Sequence, residues 1–199
     1  MGFSSLIDVL GSFLVGGMLF MILLRMNDAS VQNTFKYGGD LLVQQNLVEV
    51  VSLLEYDFRK IGYCRDWQNI PDPSKAIIYA DSNDIRFLTD IDNDAVVDTM
   101  RYYLGPASEL ADTPNPRDRL LYRVINGSVP LTANLGVTQF NLVYFNALGD
   151  SLSFPILVPS EIYTMQINVT VENYAAYDED YSSAFWRQIR MAARNLRNR

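Results

Sequence analysis

"GFSSLIDVLGSFLVGGMLFMILLRM", residues 2–26, holds one charge, Asp8, ahead of an apolar run that closes at Arg25. Leu6 to Leu24 is 19 residues. As a helix rising about 1.5 Å per residue it would reach roughly 28 Å, close to the thickness of a bilayer's hydrocarbon core. A cleaved secretory signal would show a basic start, a shorter apolar run and a small-x-small site. Here no Lys or Arg precedes Arg25, and Gly16-Gly17 is followed by more apolar residues. The stretch reads as a retained membrane helix. Asp8 lies near one end of the run, where a carboxylate stays at the interface or takes a partner. Gly11, Ser12, Gly16 and Gly17 cluster on the same helix. Small residues let helices approach closely in lipid, and glycine weakens helix continuity.

Residues 25–40 turn polar and contain Gly38-Gly39, where a bend or break in the helix is expected. Beyond it, Leu47, Val51, Leu54, Phe58 and Ile61 step by four, three, four and three and share one helical face. Glu49, Glu55, Asp57 and Arg59 are assigned mostly to the other faces. Asp40 is placed as the cap at the start of this amphipathic helix and Gly62 as its stop. After Trp67 the pattern becomes strand-like. Residues 75–90 read as a hairpin turning at Asp81-Ser82-Asn83-Asp84, and five further β-rich runs follow. The 12 Tyr and 10 Phe suit strands better than a helical bundle. The expected organisation is α+β: a membrane or filament-core helix over 1–26, a linker and amphipathic helix over 27–66, and an antiparallel β-rich domain over 67–199.

The formal charge of −7 is unevenly spread. The last 13 residues hold five arginines and no acid, so residues 1–186 carry 11 basic against 23 acidic groups, a charge of −12. Such a body is unsuited to tracking phosphates, and no nucleic-acid partner is expected. Histidine is absent and Cys64 is the only cysteine. That excludes a Ser-His-Asp or Cys-His unit, a His-containing metal site and an intrachain disulfide built from this chain alone. No enzyme activity is expected.

Asp90, Asp92, Asp94 and Asp98 have spacings close to those of a calcium loop, in which alternate carboxylates converge on one hard cation. Ala95 stands where that loop wants glycine, and Arg101 where it wants a bidentate glutamate. The competing reading is an acidic turn bent at Asn93-Asp94. The basic end offers Arg187, Arg190 and Arg194 as contact candidates for an acidic neighbour or anionic lipid, on a last strand expected over 185–193. A solvated strand end is the plainer alternative.

A Gly-Phe pair opening an apolar helix, with an acid a few residues in, resembles the start of type IV pilins and type II secretion pseudopilins. "LLEYDFRKIGYC" at 53–64, followed by "RYYL", "LLYRVING" and "GVTQFNLVYFNALGD", resembles J-type minor pseudopilins and the related large minor pilins. The resemblance implies a structural filament subunit. A prepilin peptidase would cut after Gly2, leaving Phe3 with a methylated amine. The helix, with Gly16 and Gly17, would pack against other pilin-like subunits. In the family a glutamate four residues after the new N-terminus pairs with a neighbour's amine. Ile7 occupies that place here, and the acid is Asp8. The implied location is the bacterial inner membrane, single-pass, with the β domain outside the cytoplasm. No cofactor is implied beyond the calcium that some pseudopilins use. The alternative is a membrane-anchored, β-rich binding module, calcium-stabilised or not, that never polymerises.

Overall fold

The structure, a computed structural model, describes residues 2–174 and 181–191. The fold is α+β, with one long N-terminal helix and antiparallel β-sheets. Helix α1 spans Gly2–Arg59. The backbone is assigned helical at Gly38-Gly39, so the helix is not broken there and Asp40 lies inside it rather than at a cap. Glycine in a helix interior costs about 1 kcal/mol relative to alanine, but unlike proline it keeps its N–H and adds no clash. Two glycines flanked by ordinary helix formers therefore weaken the helix without ending it.

The chain falls into two compact units, Met1–Gly39 and Asp40–Arg199. In the second, eight strands among the described residues form two sheets. Strands β1 (Ile77–Ala80), β2 (Asp84–Thr89), β3 (Asp98–Leu104), β4 (Leu121–Ile125) and β5 (Leu131–Ala133) pair in sequence order. Strands β6 (Val137–Phe145), β7 (Thr164–Glu172) and β8 (Ser183–Met191) form the second sheet. All pairings are antiparallel. The hairpin expected at Asp81 to Asp84 joins β1 and β2, closed by the Asp81 N–H on the Asp84 carbonyl at 2.8 Å.

Alternation along the strands sets which side chains are buried. Ile85 and Phe87 of β2, Met100 and Tyr102 of β3, and Met165, Ile167, Val169 and Val171 of β7 are buried. Their neighbours in sequence are more exposed, as a period of two requires. From α1 come Val43, Val50, Leu54 and Phe58, with Ile61 just beyond its end. The buried stripe thus passes through Val50, while Val51 is only half-buried. Phe58 packs edge-on against Phe87 and Tyr102, with ring centroids 5.6 and 5.4 Å away. Gly62 does terminate this segment: its φ of 71° reverses the chain, and its N–H bonds the Leu88 carbonyl at 2.9 Å.

Candidate functional site

Among the described residues α1 is the one helix long and apolar enough to cross a membrane. Gly2 is its first residue, and the side chain of Phe3 lies outside the described residues. From Leu6 to Leu24 every large apolar side chain is exposed, Phe13 at 78 %. Asp8 is exposed as well. The Ser12 hydroxyl donates to the Asp8 carbonyl at 2.7 Å, which satisfies that hydroxyl within the helix. Asp8, Ser12 and Gly16 step by four and drift only slowly around the axis, so they lie along one side. Gly17 falls on another face. A Cβ built at Gly11, Gly16 or Gly17 meets nothing within 4 Å. Among the described residues no packing contact requires glycine at these three positions.

The acidic turn lies between β2 and β3. Oxygens of Asp90, Asp92 and Asp98 come within 4.8 Å of one another, whereas Asp94 is outside that group. Asp90 is buried and heavily bonded: Oδ1 accepts the Asp94 N–H at 3.1 Å, and Oδ2 accepts those of Arg65 and Ala95, each at 3.0 Å. Burial works against the ionised form, but these backbone donors outweigh it and hold the Asp90 carboxyl below the usual range. Asp98 accepts the Ile91 N–H at 3.1 Å and the Asn126 amide at 2.6 Å. Asp94 caps the Val96 N–H at 2.7 Å. Ala95, at the place where a calcium loop carries glycine, has a φ of 75°. The turn is also stapled to the end of α1, through Lys60 on the Ile91 carbonyl at 2.7 Å and Tyr63 on Asn93 at 2.7 Å. Cys64, also buried, sits beside it with its sulfur 3.6 Å from the Ala95 carbonyl; burial pushes its thiol up.

A second polar constellation was not legible as such. Asp57, 1 % exposed, faces inward from α1. It accepts Arg123 Nε at 2.7 Å and Nη2 at 3.3 Å, and the Tyr102 hydroxyl at 2.5 Å. A forked guanidinium on a carboxylate is among the stronger polar contacts a protein makes. Here it ties the helix to β3 and β4. Burial, joined by the neighbouring Asp57 charge, pushes the Tyr102 phenol far above its ordinary value. The signal was available: Asp57 is three residues after Leu54 and four before Ile61, on the face already marked as buried.

Arg187 lies on β8, where its Nε donates to Asn168 at 2.9 Å and its guanidinium stands over the Phe185 ring. The side chain of Arg190 and the whole of Arg194 lie outside the described residues. A groove of about 370 Å3 runs beside α1, with Val50, Leu53, Leu121, Leu131 and Leu135 in its wall. Arg123 also reaches it but is held by Asp57, so the groove presents mainly hydrocarbon. No family model, curated protein or solved structure matches the chain.

Proposed function

We propose that this protein is a membrane-anchored structural subunit that assembles into a filament through its N-terminal helix, in the manner of a minor pilin or pseudopilin. The observation that carries the reading is the set of glycines at 11, 16 and 17. Each weakens the helix by about 1 kcal/mol relative to alanine, and no neighbouring atom of the described residues calls for the missing side chain. Close approach of a second helix supplies a reason for them. The 19-residue apolar run gives the anchor, and the acidic α+β body suits lateral contacts rather than chemistry.

In this reading the β domain lies outside the cytoplasm of a bacterial inner membrane. Gly2-Phe3 is the processing point, and Asp8 neutralises the amine of a neighbouring subunit. The absence of an acid at Ile7 suits a subunit at the tip, with no neighbour above it. Substituting Gly16 by leucine tests this. Leucine is the better helix former, so insertion into the membrane is retained, while cross-linking to other helices of the assembly is lost. Unchanged cross-linking in Gly16→Leu and in Asp8→Leu would refute the reading. The mass of the mature N-terminus, beginning at Phe3 or not, decides the processing step independently.

A further inference from the structure

A second cavity, of about 400 Å3, takes its walls from both sheets: the β1–β2 turn, the end of β3, the loop between β3 and β4, and the first half of β6. Backbone hydrogen bonds hold these walls together. The Leu104 N–H bonds the Asn83 carbonyl at 3.1 Å, the Leu142 N–H that of Ser82 at 2.7 Å, and the Arg119 N–H that of Val137 at 3.0 Å. The frame is therefore formed without a ligand. Its lining is polar. Asn83, Gln139 and Asn141 bring carboxamides, Arg117 and Arg119 bring guanidiniums, and no carboxylate is among the lining side chains. In residues 1–186 acids outnumber basic groups 23 to 11, so such a wall runs against the composition. The two arginines differ. Arg117 is neutralised by Glu172, through Nε at 2.9 Å and Nη2 at 2.8 Å. The half-buried Arg119 side chain has no ion pair or hydrogen bond among the described residues. A charge drawn partly out of water without a partner costs free energy that a bound anion returns.

We propose that this cavity binds a sugar acid of the uronate class, its carboxylate on Arg119 and its ring hydroxyls on the three carboxamides. A guanidinium grips a carboxylate through two parallel N–H bonds. Arg119 is the one unpaired cation in the wall, which suits a single negative charge and leaves a dicarboxylate or a phosphate dianion under-compensated. Each sugar hydroxyl is both donor and acceptor, and so is each carboxamide. The side-chain amides of Asn83 and Asn141 have no hydrogen bond among the described residues. Gln139 Oε1 accepts the Thr170 hydroxyl at 3.4 Å, which leaves its Nε2 to donate. Leu104 and Pro116 supply hydrocarbon for the C–H face of a ring. The volume lies near the low end of the roughly 300–1,000 Å3 typical of small-molecule sites, enough for one sugar ring. Every wall belongs to the β domain, so the site does not depend on filament assembly. For about 13 non-hydrogen atoms the expected Kd is about 1 mM.

Saturation-transfer difference NMR tests this, with D-glucuronate titrated into the full chain in a detergent that has no sugar head group. D-Glucose, the neutral counterpart, should bind at least about tenfold more weakly, and so should D-glucuronate to Arg119→Gln. Asn141→Asp, an exposed substitution that sets a like charge against the ligand, should weaken binding as much and keeps the test open if Arg119→Gln fails to fold. Arg59→Gln, on α1, should leave the affinity unchanged. A galacturonate trisaccharide distinguishes the source of the ligand: tighter binding than the monomer marks the end of an acidic glycan, equal binding a free sugar acid, and either supports the site. The proposal is overturned if about 10 mM D-glucuronate, ten times the expected Kd, gives no transfer. It is equally overturned if glucose binds as well as glucuronate, if inorganic phosphate displaces glucuronate at lower concentration than glucuronate itself needs, or if Arg119→Gln and Asn141→Asp, folded by circular dichroism, keep the wild-type affinity.

Discussion

Replacing Arg123 by methionine keeps most of the hydrocarbon of that side chain and removes the positive charge facing Asp57. In the native arrangement Asp57 Oδ2 receives both Arg123 Nε at 2.7 Å and the Tyr102 hydroxyl, and Oδ1 receives Nη2 at 3.3 Å. After the substitution the phenol is the carboxylate's remaining donor among these three bonds, and the negative charge has lost its counter-ion at a buried position. Removing one partner of a buried ion pair costs about 3–5 kcal/mol. Arg123 keeps 17 % of its side chain exposed, so some water reaches the site and the lower end applies. About 3 kcal/mol is a large part of the roughly 5–15 kcal/mol that holds a domain folded. It corresponds to a fall in Tm of about 6–12 °C. The assay is thermal unfolding of the full chain in detergent, followed by near-ultraviolet circular dichroism, which reports the packed aromatic rings rather than the membrane helix. The triple variant Asp57→Leu/Tyr102→Phe/Arg123→Met removes both charges together with the hydroxyl that Asp57 accepts and should recover to within about 1 kcal/mol of wild type. A single variant that costs less than about 1 kcal/mol, or a triple variant as unstable as the single one, would refute the reasoning.

Two further outcomes follow from the same coordinates. Gly38→Ala should strengthen α1 by about 1 kcal/mol, because a Cβ there meets nothing within 4 Å; hydrogen exchange of the amides around residue 38 should slow, and unchanged or faster exchange would indicate a break. Burial raises the phenols of Tyr102 and Tyr144 well above the ordinary value. A raised folded-state pKa means that their contribution to stability is complete below about pH 10 and is lost as pH climbs beyond it. In an alkaline titration read at 295 nm, two of the 12 tyrosines should therefore ionise only as the near-ultraviolet signal collapses. Ionisation of all of them with tertiary packing intact would contradict this.

The outline of the fold was written locally. The apolar run at Leu6–Leu24, the strand runs after Trp67 and the turn at Asp81–Asp84 each depend on neighbours in sequence, and each is found as expected. The amphipathic face was legible to within one residue, since Val50 replaces Val51 in the buried stripe. Gly38-Gly39 does not break the helix, because a glycine pair signals weakness in a helix and continuity depends on the summed preference of the residues around it. The glycines at 11, 16 and 17 were visible in the sequence, but only the fold shows that no described residue fills the space beside them.

Charge is where tertiary structure decided most. Asp57, Asp90 and Asp118 are the same residue in a sequence, and their environments set them apart. Asp57 meets a guanidinium 66 residues away, Asp90 collects backbone N–H groups from its own turn and from Arg65, and Asp118 lies buried between the Thr113 hydroxyl and the like charge of Glu172. Periodicity tells which side of an element is apolar because that depends on residues three, four or two positions apart. Which donors converge on a buried carboxylate depends on strands brought together from distant parts of the chain, so only the folded arrangement determines it.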